Sequence, residues 1–109
     1  MMTLMVFYAA VGIILILIAI PLYLEKIPPN GLYGFRVRKT LENPDLWYPV
    51  NKVAAGWLAL TGAFAVIASV VFSFIPGLSL DAYAELCLAV FAGVFIVGLL
   101  RTMRYLNSL

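Results

Sequence analysis

Three long apolar runs, at about 4–24, 51–75 and 82–100, are separated by one long polar segment and one short turn. Each run is close to the roughly twenty residues that a helix needs to cross the hydrocarbon of a bilayer. The pattern therefore predicts an all-α fold. It is an integral membrane three-helix bundle, one domain over 1–109, with an ordered, partly helical polar cap at 25–50 between the first two helices. Pro21 lies in the last turn of the first run, where it kinks or ends a helix. Pro76-Gly77 closes the second run. The link that follows is so short that the second and third spans must be antiparallel neighbours. Small residues are expected where helices meet in lipid: Ala55, Ala59 and Ala63, beside Ala65, Ser69 and Ser73, and on the third span Ala89 and Gly93.

A loop that only reverses the chain needs four or five residues, and this one has about 25. It is too rich in Leu32, Tyr33, Phe35, Leu41, Leu46, Trp47 and Tyr48 to be disordered. Pro28-Pro29 is stiff, and Asn30-Gly31 is a turn signal. Gly34 gives a second permissive point between two aromatics, so that Tyr33-Gly34-Phe35-Arg36 reads as a turn presenting a guanidinium. Asn43-Pro44-Asp45 reads as a helix start, with Asn as N-cap, Pro at N1 and Asp near the positive end of the dipole. That helix would place Trp47 and Tyr48 at the membrane interface, and Pro49 is expected to interrupt it before the second span. Asn51 is four residues after Trp47, on the same face, and an amide at the membrane boundary needs partners.

Composition sharpens this picture. The chain is 65% hydrophobic and 11% charged. A soluble domain of 109 residues could not cover that much apolar side chain, so its solvent is lipid. The N-terminal run has no basic residue ahead of it and is too long for the apolar h-region of a signal peptide, so it is read as a permanent anchor. All seven basic residues fall on one side of a three-span topology. Lys26, Arg36, Arg38, Lys39 and Lys52 flank or lie in the first connection, and Arg101 and Arg104 follow the third span. The positive-inside rule makes that side cytoplasmic and puts the N-terminus outside. The net charge of +2 gives no reason to expect nucleic acid.

The chemistry available is narrow. There is no histidine, which removes the usual metal ligand and general base, and no cofactor or metal site is expected. Cys87 is the single cysteine and has no internal disulfide partner. Glu85 is the one acid within a span and a candidate by position alone; its other reading is a solvated interfacial carboxylate. Arg36, Arg38 and Lys39 have two readings, as topology signals against anionic lipid heads or as ligand contacts.

The ordered polar set resembles a known family. Asn30-Gly-Leu-Tyr33-Gly34-Phe-Arg36, then Thr40, Asn43, Trp47 and Asn51, is similar to the hallmark of the SdpI family of small bacterial membrane proteins. Lys52 stands where that family often has Arg, and Gly31 where it often has a bulkier residue. The best-known member protects its cell from a secreted peptide toxin and holds a transcriptional repressor at the membrane; it has spans beyond this domain. The resemblance implies a binding or immunity protein, with Asn30, Tyr33, Gly34, Arg36, Thr40, Asn43, Trp47 and Asn51 as ligand-binding candidates and a toxin-like peptide or membrane lipid as partner. An alternative is a membrane-embedded enzyme using Glu25, Glu42, Asp45 or Glu85. A third is a small oligomeric transporter, since three helices enclose little by themselves; whether the chain forms a homo-oligomer is left open.

Overall fold

The computed structural model describes residues 1–109 and is helical almost throughout. In chain order the elements are α1 (Met2–Tyr23), α2 (Arg38–Glu42), α3 (Pro44–Ser73) and α4 (Leu80–Asn107). The three long helices have the length and apolarity to cross a membrane, as expected. The molecule is a rod of 51 × 23 × 18 Å. That length exceeds the roughly 30 Å of bilayer hydrocarbon, so the rod ends lie among headgroups.

Boundaries depart from expectation at two places. Pro49 does not interrupt a separate cap helix, because α3 runs unbroken from Pro44 to Ser73 with Pro49 inside it. A proline so close to a helix start removes only one backbone bond, which near an interface water can replace. The helix within the cap is instead α2, whose N-cap Val37 has no polar side chain to cap with and whose Thr40 accepts the Val37 N–H in its place. At its other end α4 continues past the third apolar run to Asn107 and carries Arg101 and Arg104 as helical residues.

Helix α3 is the centre of the bundle, and α1 and α4 pack on it rather than on each other. The α1–α3 crossing is set by two glycines. A methyl group added to Gly12 would overlap the Gly62 carbonyl oxygen, and one added to Gly62 would overlap that of Gly12. The backbones touch directly, which in lipid maximises dispersion where water exclusion gives no help. Gly98 plays the same part between α4 and α3: a methyl there would lie 2.7 Å from Cβ of Trp57. Of the expected small residues Ala55, Ala65 and Ser69 are buried, whereas Ala89 and Gly93 are exposed on α4. The inward face of α4 is Tyr83, Cys87, Gly98, Thr102 and Leu106. Small residues recur on every face of an apolar helix, and only the crossing geometry selects those that touch.

The end of the rod away from the cap is closed by polar ties. Ser79 Oγ accepts the Ala82 N–H at 3.1 Å and caps α4. Tyr83 donates its buried hydroxyl to the Ser69 carbonyl at 2.7 Å. Tyr8 reaches across from α1 to the Ala84 carbonyl at 3.4 Å. Toward the cap α1 and α4 stand apart.

Candidate functional site

The cap begins where α1 ends. Glu25 takes a left-handed conformation (φ 61°), and the Lys26 N–H returns to the Pro21 carbonyl at 3.0 Å. This pair of features is a Schellman-type turn, which swings the chain back toward the helices. Asn30 then builds the next turn with its whole amide. Its oxygen accepts from the N–H groups of Leu32 (2.9 Å) and Tyr33 (2.6 Å), and its nitrogen donates to the carbonyls of Pro28 and Tyr33, both at 2.9 Å. The turn delivers the Tyr33 hydroxyl to the Ile18 carbonyl of α1. Burial pushes the Tyr33 phenol above its ordinary pKa.

Gly34 joins this turn to α3, and no other residue fits there. Its φ is 114°, and a methyl group on it would sit 2.7 Å from Asn51 Oδ1 and 3.1 Å from the Trp47 ring. The close approach lets Asn51 hold the next residue at two points. Asn51 Oδ1 accepts the Phe35 N–H at 2.5 Å, while Nδ2 faces the Phe35 carbonyl at 3.4 Å and the Trp47 carbonyl at 3.0 Å. Trp47 is wholly buried and donates its indole N–H to the Ile27 carbonyl at 2.7 Å. Its expected place in an interfacial aromatic belt is therefore corrected: it is the pillar on which the cap rests, while Tyr48 stays half-buried.

The second half of the cap is tied in the same manner. The buried Thr40 hydroxyl accepts from the Val37 N–H at 3.1 Å and has the carbonyls of Phe35 (3.0 Å) and Val37 (2.9 Å) to donate to. Asn43 occupies the N-cap position of α3, with Pro44 at N1 and Asp45 in the first turn, as the sequence indicated. Its side chain, however, makes no capping bond to α3. It donates to the Lys39 carbonyl at 2.8 Å and closes the end of α2, whose last carbonyls lack helical partners. Lys39 extends to the Leu106 carbonyl at 3.3 Å and so caps α4. No spacing in the sequence announces that contact.

The structure thus gathers all eight candidates, Asn30, Tyr33, Gly34, Arg36, Thr40, Asn43, Trp47 and Asn51, into one cap. The buried polar atoms among them bond to the backbone of the cap, and no buried side-chain nitrogen or oxygen in the chain lacks a partner. What remains open lies outside that network. Arg36 is exposed and places one N–H on the Gly31 carbonyl, leaving the rest of its five donors free. Arg38 pairs with Glu42 at 3.0 Å on the exposed face of α2. Glu85 is apart from the cap, exposed on the second turn of α4.

Beneath the cap the separation of α1 and α4 leaves a cleft of about 240 Å³ over one face of α3. Tyr33, Gly34 and Phe35 form its roof, Ile18 and Leu22 one wall, and Phe95 and Leu99 the other. Its lining is mostly hydrophobic. Residues far apart in the sequence make it, so no motif marks it. No cluster of His, Cys, Asp or Glu is arranged to hold a metal.

Searches of curated proteins and of solved structures return no match. The model of the SdpI/YfhL protein family matches residues 26–103, which takes in nearly all of the cap, α3 and most of α4. The matched region contains every residue of the network around Asn51 and Trp47, so the sequence hallmark and the physical lock coincide. On that match the chain belongs to the SdpI/YfhL family of membrane proteins.

Proposed function

We propose that the protein is an immunity-type binding protein of a bacterial cytoplasmic membrane, which captures a membrane-active peptide in the cleft beneath its cap. The cleft carries this reading. It is apolar, open sideways to lipid and roofed by the segment that the hallmark residues hold in place. An amphipathic peptide lying in the membrane interface would put apolar side chains between Ile18 and Leu99. A carboxylate on it would meet Arg36, one residue beyond the roof, whose planar guanidinium suits bidentate pairing. In this reading Asn30, Gly34, Thr40, Trp47 and Asn51 act by shaping the roof, and Arg36 by touching the ligand. The positive-inside rule places the cap and the C-terminus in the cytoplasm and the N-terminus outside.

Survival of peptide-challenged cells tests the proposal. Cells producing the wild-type chain should resist a membrane-active peptide that kills the parent strain. Leu99→Trp, which fills the cleft, should abolish the protection at equal protein level. Leu100→Trp, on the neighbouring and more exposed position outside the cleft, should retain it. Killing that is unchanged by the wild-type chain across a panel of such peptides would end the immunity reading.

A further inference from the structure

A second groove lies elsewhere on the molecule, between α1 and α3. It is about 290 Å³ and is lined by Ile16, Ala19, Ile20 and Tyr23 of α1 facing Gly56 and Ala59 of α3. Gly56 forms its floor, with no atom of another residue within reach of an added methyl group. From Ile16 to Leu24 the wall climbs eight helical steps, about 12 Å. One leaflet of bilayer hydrocarbon is about 15 Å deep, so the groove spans most of the leaflet on the cap side.

A cation stands at its upper end. Lys52 precedes Ala55, Gly56 and Ala59 by three, four and seven residues, and so continues the same stripe of α3. Its ammonium lies 5.0 Å from the centre of the Tyr23 ring, which itself lines the groove. Lys52 has no ion-pair partner. The carboxylates at this end are Glu25, Glu42 and Asp45, and the one ion pair in the molecule joins Glu42 to Arg38. An apolar trough of leaflet depth beneath an unpaired cation matches one kind of molecule in a membrane.

We infer that this groove is a binding site for an anionic phospholipid, its acyl chain lying along Gly56 and its phosphate at Lys52. The site shares only Ala55 with the lining of the peptide cleft between α1 and α4, and it does not rest on the reading given to that cleft. A zwitterionic lipid would bring the same chain and phosphate together with a positive group, which the Lys52 ammonium repels. The lipid would also complete the α1–α3 surface at the level where Gly56 leaves it open.

Native mass spectrometry of the full chain, released from nanodiscs holding equal phosphatidylglycerol and phosphatidylcholine, tests this inference. The wild-type chain should keep one phosphatidylglycerol in preference to phosphatidylcholine by about fivefold, the factor that one lysine near an anionic surface supplies. Lys52→Gln should bring that ratio close to one while leaving some lipid bound. Gly56→Leu, which fills the trough with a good helix former, should remove bound lipid of both kinds while α1 and α3 stay packed. Arg104→Gln makes the same change in net charge on α4 and should leave the ratio unchanged. The inference is overturned by any of four results: equal retention of the two lipids by the wild type, undiminished phosphatidylglycerol on Gly56→Leu, an Arg104→Gln effect as large as that of Lys52→Gln, or a wild-type dimer that Gly56→Leu dissociates. The last would make the groove a contact between two copies of the chain.

Discussion

The cap offers one substitution, glycine to alanine, at two sites three residues apart with opposite expected outcomes. At Gly34 the φ of 114° is a conformation that costs an L-residue about 1–3 kcal/mol. The new methyl group would also stand 2.7 Å from Asn51 Oδ1 and 3.1 Å from the Trp47 ring, side chains that are each held by their own hydrogen bonds. Asn51 must then withdraw and release the Phe35 N–H, at about 1–3 kcal/mol for a buried bond left unmade. The two effects act together on the docked cap, roughly 3 kcal/mol in all, and little on the helix crossings, which are made elsewhere. Gly31 has negative φ and open space around its Cβ position, so alanine there should be neutral within about 0.5 kcal/mol. The readout is local: the Phe35 amide, whose hydrogen exchange in detergent micelles or nanodiscs reports opening of the cap. Three kcal/mol corresponds to about a hundredfold faster exchange for Gly34→Ala, with Gly31→Ala unchanged. Equal exchange in the two variants, or a Gly34→Ala rate within twofold of wild type, would refute the idea that the close approach of Gly34 to Asn51 and Trp47 holds the cap down.

Three further outcomes follow from the same geometry. Gly12→Ala and Gly62→Ala should each lower thermal stability in detergent, because the added methyl group meets opposing backbone. The overpacking cost of about 1–3 kcal/mol outweighs the gain in helix propensity of at most about 1 kcal/mol. Trp47→Phe should destabilise by about 1–3 kcal/mol, seen as a lowered unfolding midpoint, since it strands the Ile27 carbonyl beneath the cap. Alkaline titration followed by tyrosinate absorbance and Phe35 exchange should find the cap indifferent to pH through the neutral range. Tyr33 is protonated both folded and unfolded there, and its folded pKa is the raised one, so its contribution is complete below the unfolded value of 10.0 and fades as pH climbs above it. Tyr33→Phe should remove that alkaline loosening.

How much of this was legible beforehand varies from residue to residue. The helix start at Asn43-Pro44-Asp45 is legible in local preferences, because Pro at N1 and Asp in the first turn act within their own turn. The Asn43 side chain closes α2 rather than the α3 helix that follows it. Whether an amide caps the helix after it or the one before depends on how α2 abuts α3, and that is a tertiary matter. Proline ends helices on average, yet the missing N–H of Pro49 lies near the start of α3, where one lost bond is tolerated. Trp47 followed the general preference of tryptophan for the interface until the Ile27 carbonyl and Gly34 enclosed it. The cleft and its roof had no signal at all, since Ile18, Tyr33 and Leu99 come from three separate parts of the chain.

The sequence by itself determined the solvent, the number of spans and the presence of one polar segment dense in turn and aromatic residues. These follow from hydrophobicity summed along the chain, a local property that lipid reads one segment at a time. Only the tertiary structure decided which glycines let helices touch and where the polar atoms of the hallmark residues go. It also decided that α1 and α4 part to leave a cleft. Those outcomes depend on the rotation and crossing of each helix about α3. A near-uniformly apolar span leaves its rotation unmarked, and the atoms that fix it, at Gly12, Gly62, Gly98 and Trp57, act by shape rather than by polarity.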